Sequence, residues 1–155
     1  MISWAHFETP DFKTFFTCLG KLTQLRAWNL SFFNSAHDKN HCIQTLIPAL
    51  SSLKSLSQID LNFGGSGSLK AENLVKLFMA LGSIKTLTEI TLSLQYCSID
   101  KENSTILEPL TEALQYLNPS LIRKFFLHPY ENLEDGDFLQ IFQALKKFTS
   151  LPFLT

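Results

Sequence analysis

The sequence predicts an α/β protein built from stacked helix–strand units, and two periodic features support this fold class. A small residue followed by leucine recurs in five helix-like segments: Cys18-Leu19, Ala49-Leu50, Ala80-Leu81, Ala113-Leu114 and Ala144-Leu145. The successive leucines are separated by 31, 31, 33 and 31 residues. A segment that alternates apolar and polar residues follows each of the first four helices. One such unit cannot bury its own apolar faces, so we expect the units to stack on one another.

Each predicted helix carries one apolar face. Apolar residues lie three positions after the repeated leucines, at Leu22, Leu53, Ile84, Leu117 and Phe148. Others lie four positions before them, at Phe15, Leu46, Leu77, Leu110 and Ile141. These spacings follow the period of about 3.6 residues that places side chains on one side of an α-helix.

The predicted strands share a second pattern. Their sequences are LRAWNLSF (25–32), LSQIDLNF (56–63), LTEITLSL (87–94) and IRKFFLHP (122–129), and LPFL (151–154) begins a fifth copy. Apolar residues at the fourth, sixth and eighth positions give the period of two expected of a strand with one buried side.

Composition limits the classes of function. Apolar residues make up 45% of the chain and charged residues 17%, which with fourteen Phe suggests a surface partly covered by something else. The formal net charge is −1, so the basic field of a nucleic-acid-binding protein is missing. No secretory signal and no membrane-length apolar run are evident. Three cysteines without a CxxC pair indicate free thiols. We expect an intracellular protein, with the cytoplasm favoured and a cytoskeletal or organellar assembly left open.

The stretch NFGGSGSLKAENL (62–74) has the strand–glycine–helix order of a nucleotide-binding loop. It lacks the Gly-Lys-Ser/Thr ending that such a loop requires, because Lys70 follows Gly67 at a distance and no hydroxyl comes after it. The equivalent loops of the other units share its position but not its chemistry. The simplest interpretation is a flexible, unoccupied turn, and we expect no bound cofactor.

Two further clusters have ordinary explanations. His37 and His41 are four residues apart, yet His37 is expected in the loop before a helix, and no second pair of zinc ligands accompanies them. Acidic residues around Gly136 lack the spacing of a calcium loop, and Asp135 or Asp137 is better placed to cap a helix. No nucleophile elbow of the GxSxG type is present. We therefore predict no metal site and no catalytic activity.

A strand of the form LxxLxL with a helix in every unit of about 31 residues resembles the leucine-rich repeat family, and specifically its ribonuclease-inhibitor-like subclass. The resemblance extends from about Phe12 to Thr155. It implies a single domain over residues 1–155 of four to five units, forming a right-handed curved solenoid with a short parallel sheet on the concave side and helices on the convex side. The sequence departs from the family where Asn or Cys is usual, because Phe33, Gly64 and Gln95 occupy those positions. The unit around Asn118 also carries extra residues, so its turn is expected to bulge.

In such a solenoid, the outward strand residues line the concave surface, and they supply the candidate protein-binding site. Its residues are Asn29, Asp60, Asn62, Glu89, Thr91, Arg123, Lys124, Phe126 and His128. Phe126 is a possible anchor for a partner. The alternative is that these are ordinary solvated strand residues, because polar outward positions are expected in any strand of this kind. The apolar C-terminal edge, with Leu151, Phe153 and Leu154, is expected to be covered, either by further chain or, as we favour, by another subunit.

These observations favour a non-catalytic interaction or scaffold protein, a structural subunit of a larger assembly with protein partners and no nucleic-acid partner. The alternative is a regulator of a small GTPase, because Ran-type GTPase-activating proteins have the same kind of solenoid. That activity requires a catalytic arginine presented from a loop. Only Arg26 and Arg123 are present, and both are predicted at strand starts, which counts against the alternative.

Overall fold

The computed structural model describes residues 2–3, 12–33, 38–65, 67–100, 107–128 and 135–148. Within these ranges the fold is mixed α/β. The helices are α1 (Phe12–Leu19), α2 (Lys39–Ser52), α3 (Ala71–Ser83), α4 (Leu107–Leu114) and α5 (Asp135–Leu145). The strands are β1 (Ile2–Ser3), β2 (Ala27–Ser31), β3 (Gln58–Asn62), β4 (Ser68–Lys70), β5 (Glu89–Ser93), β6 (Ser98–Asp100) and β7 (Lys124–His128). The alternation of helices and strands predicted from the sequence is thereby confirmed.

Five of the strands form one parallel sheet in the order β1-β2-β3-β5-β7, which is the order of these strands along the chain. Parallel strands need a crossover, and a helix lies in each connection between neighbouring strands. Consecutive helices also contact each other, from α1 through to α5. Each unit therefore adds one strand to the sheet and one helix that contacts the helix of the unit before it.

The same backbone contacts recur where the strands begin. The Arg26 carbonyl oxygen accepts hydrogen bonds from the N–H groups of Ser57 and Gln58, which start the next strand. One unit later, the Ser57 carbonyl accepts from Thr88 and Glu89 in the same way. The Thr88 carbonyl then accepts from Arg123 and Lys124. The units predicted from periodicity are thus equivalent in their hydrogen bonding.

The core lies between the sheet and the helices. Alternate strand residues such as Leu30, Leu61 and Leu92 are almost fully buried. Aromatic rings join the two layers: Phe16 lies 6.1 Å from Trp28, and Phe78 lies 6.5 Å from Phe125, between ring centres. Burying one such large apolar side chain stabilises the fold by about 1.5–3 kcal/mol.

Eight of the ten predicted apolar helix positions are buried, and Phe15 is partly buried and packs against the core. Those at 46, 77, 110 and 141 are buried, as are those at 53, 84, 117 and 148. Leu22 differs, because it is 54% exposed in the turn after α1. The bulge predicted around Asn118 is a turn over residues 115–121, in which the Asn118 carbonyl accepts from the N–H groups of Leu121 and Ile122.

The strand-to-helix loops contain structure that the sequence did not reveal. β4 and β6, three residues each, form a separate two-stranded parallel sheet. Asn40 of α2 ties β4 down: its side-chain oxygen accepts from the Lys70 N–H at 2.7 Å, and its amide nitrogen donates to the Ser68 carbonyl at 3.0 Å. The side chain of Asn73, fully buried, also donates to Asn40.

The glycine loop is not an unoccupied turn, and that interpretation was wrong. The Lys39 ammonium group enters the loop and donates to the carbonyl oxygens of Gly64 and Gly65. Lys39 is only 3% exposed, and burial lowers the pKa of its amino group. Gly65 and Gly67 have φ angles of 88° and 123°, which L side chains rarely adopt. The positive φ angles of Gly65 and Gly67 therefore belong to a loop conformation in which two carbonyl groups bind the lysine of the preceding helix.

Some expectations fall outside the described residues. Leu151, Phe153 and Leu154 of the predicted C-terminal edge are among them, as is His37. His41 lies in the first turn of α2 and is exposed. Asp38 caps the same helix by accepting the Asn40 N–H at 2.9 Å. None of the three cysteines forms a disulfide bond within the described residues, and burial raises the pKa of Cys42 to about 12.

Candidate functional site

The sheet has one side turned away from the helices, which we call the polar face. It carries the outward positions of β2, β3, β5 and β7, which the strand register aligns in three rows. The first row is Ala27, Gln58, Glu89 and Lys124; the second is Asn29, Asp60, Thr91 and Phe126; the third is Ser31, Asn62, Ser93 and His128. Eight of the nine predicted binding residues lie in these rows. The strand alternation predicted from the sequence therefore places these eight residues on one side of the sheet.

Arg123 is the exception among the predicted residues. It lies one position before β7, and its N–H donates to the Thr88 carbonyl at the start of the neighbouring strand. Its side chain is exposed, but the alternation that defines the polar face begins only at Lys124. Arg123 therefore borders the polar face instead of belonging to a row.

Phe126 is the one large apolar side chain in the rows of the polar face, and it is 52% exposed. The register places it beside Thr91, in the row that begins with Asn29 and Asp60. Lys124 and His128 flank it along β7, and both are exposed. An aromatic ring in such surroundings is apolar surface that stays exposed after folding and that a partner can bury.

Asp60 lies at the centre of the sheet and is half-buried. Its Oδ2 accepts a hydrogen bond from the Asn29 amide nitrogen at 2.7 Å. Burial raises the pKa of the Asp60 carboxyl, and the nearby His128 side chain opposes that rise. No ion pair involves Asp60 within the described part of the chain. Its charge is thus partly removed from water, and the His128 side chain offsets only part of that effect.

A depression with a volume of about 350 Å³ surrounds Asp60. Its walls come from the neighbouring strands β2, β3 and β5. The lining residues are Ala27, Trp28, Asn29, Gln58, Ile59, Asp60, Glu89 and Thr91. Trp28 and Ile59 belong to the buried side of these strands, as the sequence predicts, and the buried indole nitrogen of Trp28 meets no acceptor among the described residues.

Glu89 is the second carboxylate of the polar face, and it already has a partner. Its Oε1 lies 3.0 Å from the Lys124 Nζ on the adjacent strand. Both side chains are partly exposed, so this pair contributes little to stability, about 0–1 kcal/mol. Of the two carboxylates of the polar face, Asp60 is therefore the one that forms no ion pair with the described residues.

Asn62 has a structural task in addition to its place in the third row. Its Oδ1 accepts the Gly64 N–H at 2.9 Å and so fixes the exit of β3 into the glycine loop. Ser93, next to it in the row, is buried at 8% exposure. The third row is therefore less available to a partner than the second.

Two classes of site find no support in the described ranges. No group of three or more His, Cys, Asp or Glu side chains converges there in a way that could hold a metal ion. No described helix is long and apolar enough to cross a membrane. The polar face carries a half-buried carboxylate, an exposed aromatic ring, amide groups and an ion pair.

Comparison with known proteins bears on the fold. No protein-family model matches the chain, and no curated protein matches it. Among solved structures, the chain is similar to one described as "Leiomodin-1 Actin-Binding Site 2 (ABS2)". The two share a TM-score of 0.59 and 16% sequence identity, over 93% of this chain and 75% of that chain. At this identity the likeness concerns the path of the backbone and carries no residue of the polar face with it.

Proposed function

We propose that the chain is a non-catalytic protein-interaction or scaffold protein, built as a single leucine-rich-repeat domain and acting as a structural subunit of a larger intracellular assembly. The polar face would be the concave side of a right-handed solenoid, and it would bind the partner. The observation that carries this proposal is Phe126, an aromatic ring 52% exposed among polar side chains of a regular sheet. The repeated hydrogen bonds at the strand starts support the repeat assignment.

A preformed sheet suits recognition because its side chains are already ordered. The backbone of β2, β3, β5 and β7 is fixed by neighbouring strands, so binding costs little additional conformational entropy. The acidic and basic residues of the polar face are Asp60, Glu89, Lys124 and His128, which do not form a basic field. A protein partner therefore fits better than a nucleic acid.

Actin is the partner to test first. The similar solved structure is described as an actin-binding site of leiomodin-1, and a cytoskeletal assembly is one of the locations compatible with the sequence. The likeness of fold alone does not carry the binding residues over, so the test must be made on this chain. Co-sedimentation with filamentous actin and binding to monomeric actin would both be measured.

Capture from a cell extract tests the polar face without assuming the partner. The tagged chain would be compared with a Lys124→Glu, Phe126→Ala double variant. The matched control is Lys76→Glu, Met79→Ala on α3, which also changes one exposed lysine and one exposed large apolar residue. We expect the same proteins with wild type and control, and their loss with the polar-face variant. Proteins retained equally by all three would contradict the proposal.

The alternative, a GTPase regulator of the Ran-type class, rests on the two arginines. Arg26 and Arg123 both have exposed side chains, while their backbone groups take part in the hydrogen bonds between strands. A catalytic arginine contributes a factor of about 10³–10⁵ to the rate of hydrolysis, so its effect would be easy to detect. GTP hydrolysis by small GTPases, measured with the wild type and with both arginines changed to alanine, separates this alternative from the scaffold.

A further inference from the structure

We infer that the partner of the polar face presents a cationic side chain to Asp60 and an apolar side chain to Phe126, about 10 Å apart. The inference rests on the proposed function and specifies the chemistry of the partner. It follows from three features of the second row. The Asp60 carboxylate forms no ion pair with the described residues, the Phe126 ring is exposed, and the distance between the two residues is defined by the strand register.

The first feature is the charge at the centre of the face. Glu89 is compensated by Lys124 at 3.0 Å, whereas Asp60 pairs with no cation within the described residues. Asn29 holds one oxygen of the Asp60 carboxylate at 2.7 Å. The other oxygen accepts no hydrogen bond from the described residues, so it is available to a donor from outside. A guanidinium or ammonium group matches both the charge and the acceptor.

The second feature is the space in front of that oxygen. The depression of about 350 Å³ is lined by Asn29, Gln58 and Thr91 as well as by the carboxylates of Asp60 and Glu89, so its walls are polar and acidic. Two carboxylates line it, Asp60 and Glu89, and Glu89 is already paired with Lys124; the described residues hold no group of three or more metal-binding side chains there. A long side chain with a charged tip fits such a site, because its tip can reach Asp60 while its methylene groups lie against Ala27 and Thr91.

The third feature is the spacing. The register aligns Asp60 with Thr91 and Thr91 with Phe126, so the two anchor points are two strands apart in one row. Neighbouring strands lie about 4.8 Å apart, which gives a separation of roughly 9.5 Å. Residues seven positions apart on an α-helix lie on one side, about 10.5 Å apart. A helix with Arg and Leu at that spacing therefore presents the required pair.

The probes are two synthetic helical peptides of about 18 residues, long enough to be partly helical when rich in alanine. One carries Arg and Leu seven positions apart, and the other has Glu in place of that Arg. Binding would be followed by NMR through the backbone amide signals of the full chain. We expect the Arg peptide to shift the signals of Asp60, Thr91 and Phe126, and the Glu peptide to bind at least threefold more weakly.

Two variants, each replacing a carboxylate by an amide of similar size, distinguish a direct contact at Asp60 from a general effect of net charge. Asp60→Asn is expected to weaken binding of the Arg peptide by about threefold to tenfold. Glu72→Gln on α3 removes an exposed carboxylate on the helix side, and it should leave the affinity unchanged. Equal binding of both peptides, equal effects of the two variants, or signal changes confined to other surfaces would each overturn the inference.

The outcomes distinguish this inference from the proposed function. If the extract experiment locates a partner on the polar face while the two peptides bind alike, the function stands and the cationic contact is wrong. If the Arg peptide binds through Asp60 but no captured protein depends on Lys124 and Phe126, the contact stands and the proposed function fails.

Discussion

The Lys39 Nζ lies 2.9 Å from the Gly65 carbonyl oxygen and 3.1 Å from that of Gly64, in the interior of the strand-to-helix loop of the next unit. Helix α2 thereby fixes the conformation of a loop that begins more than twenty residues later in the chain. Because two buried carbonyl groups depend on one side chain, this contact is a point at which neighbouring units hold each other.

Replacing Lys39 should therefore weaken the whole fold. We expect Lys39→Met to lower the free energy of unfolding by about 1–3 kcal/mol, because two buried acceptors lose their donor. Lys85→Met serves as the control, since Lys85 is exposed. Urea unfolding followed by circular dichroism measures both. Equal stability of the two variants would show that the loop carbonyls find other donors.

Gly82 marks a close approach between α3 and the turn after α4. A Cβ atom added to Gly82 would overlap the Tyr116 carbonyl oxygen. Gly82→Ala should thus destabilise the protein by about 1–3 kcal/mol, although alanine favours helix over glycine. Gly136→Ala is the matched control, since a Cβ there meets no atom within 4 Å and the residue lies in α5. In thermal unfolding, we expect the melting temperature of Gly82→Ala to be below that of wild type and the melting temperature of Gly136→Ala to be at or above it.

The raised pKa of Asp60 gives stability a defined pH dependence. Because the pKa of Asp60 is higher in the folded than in the unfolded state, the folded protein binds this proton more tightly. The protonated carboxyl therefore stabilises the fold at low pH. This stabilisation is lost as the pH rises through the folded-state pKa. At neutral pH we expect Asp60→Asn to be at least as stable as wild type, with the difference shrinking as the carboxyl becomes protonated. Unfolding measured from neutral to mildly acidic pH tests this.

NMR titration of the Asp60 carboxyl carbon gives an independent check. A pKa at or below the ordinary value of 3.8 would contradict the assignment of Asp60 as a desolvated group. The same titration in the presence of the Arg peptide should give a lower pKa, because a bound cation favours the charged form.

Phe126 should matter for binding and not for folding. Its ring is 52% exposed, so Phe126→Ala is expected to change the free energy of unfolding by less than about 0.5 kcal/mol. Phe125→Ala on the buried side of the same strand should cost more, because Phe125 packs 6.5 Å from Phe78. Chemical denaturation of the two variants measures both effects. Similar losses of stability would place Phe126 in the core.

The periodic parts of the sequence predicted the periodic parts of the structure. Alternation in the strands follows from one side being buried, so the outward positions of β2, β3, β5 and β7 could be read directly. The contact between Asn29 and Asp60 could also have been predicted, because residues 31 positions apart become neighbours once the units stack in register.

The loops could not be predicted in this way. Lys39 reads as an exposed residue at a helix start, and its burial depends on the three-dimensional path of a loop in the next unit. β4 and β6 have three residues each, too few to show a period. Gly64 reads as a flexible position, yet its carbonyl binds Lys39 and its N–H binds Asn62.

Site-specific photo-cross-linking tests the central claim, that the polar face binds a protein, most directly. A photoreactive phenylalanine analogue would replace Phe126 in the full chain, and in a second protein it would replace Met79, which has a similar exposure on α3. After irradiation in cells, we predict a discrete cross-linked protein from position 126 and none of comparable yield from position 79. Cross-links from position 79 alone, or from neither position, would contradict the assignment of the polar face as the binding surface.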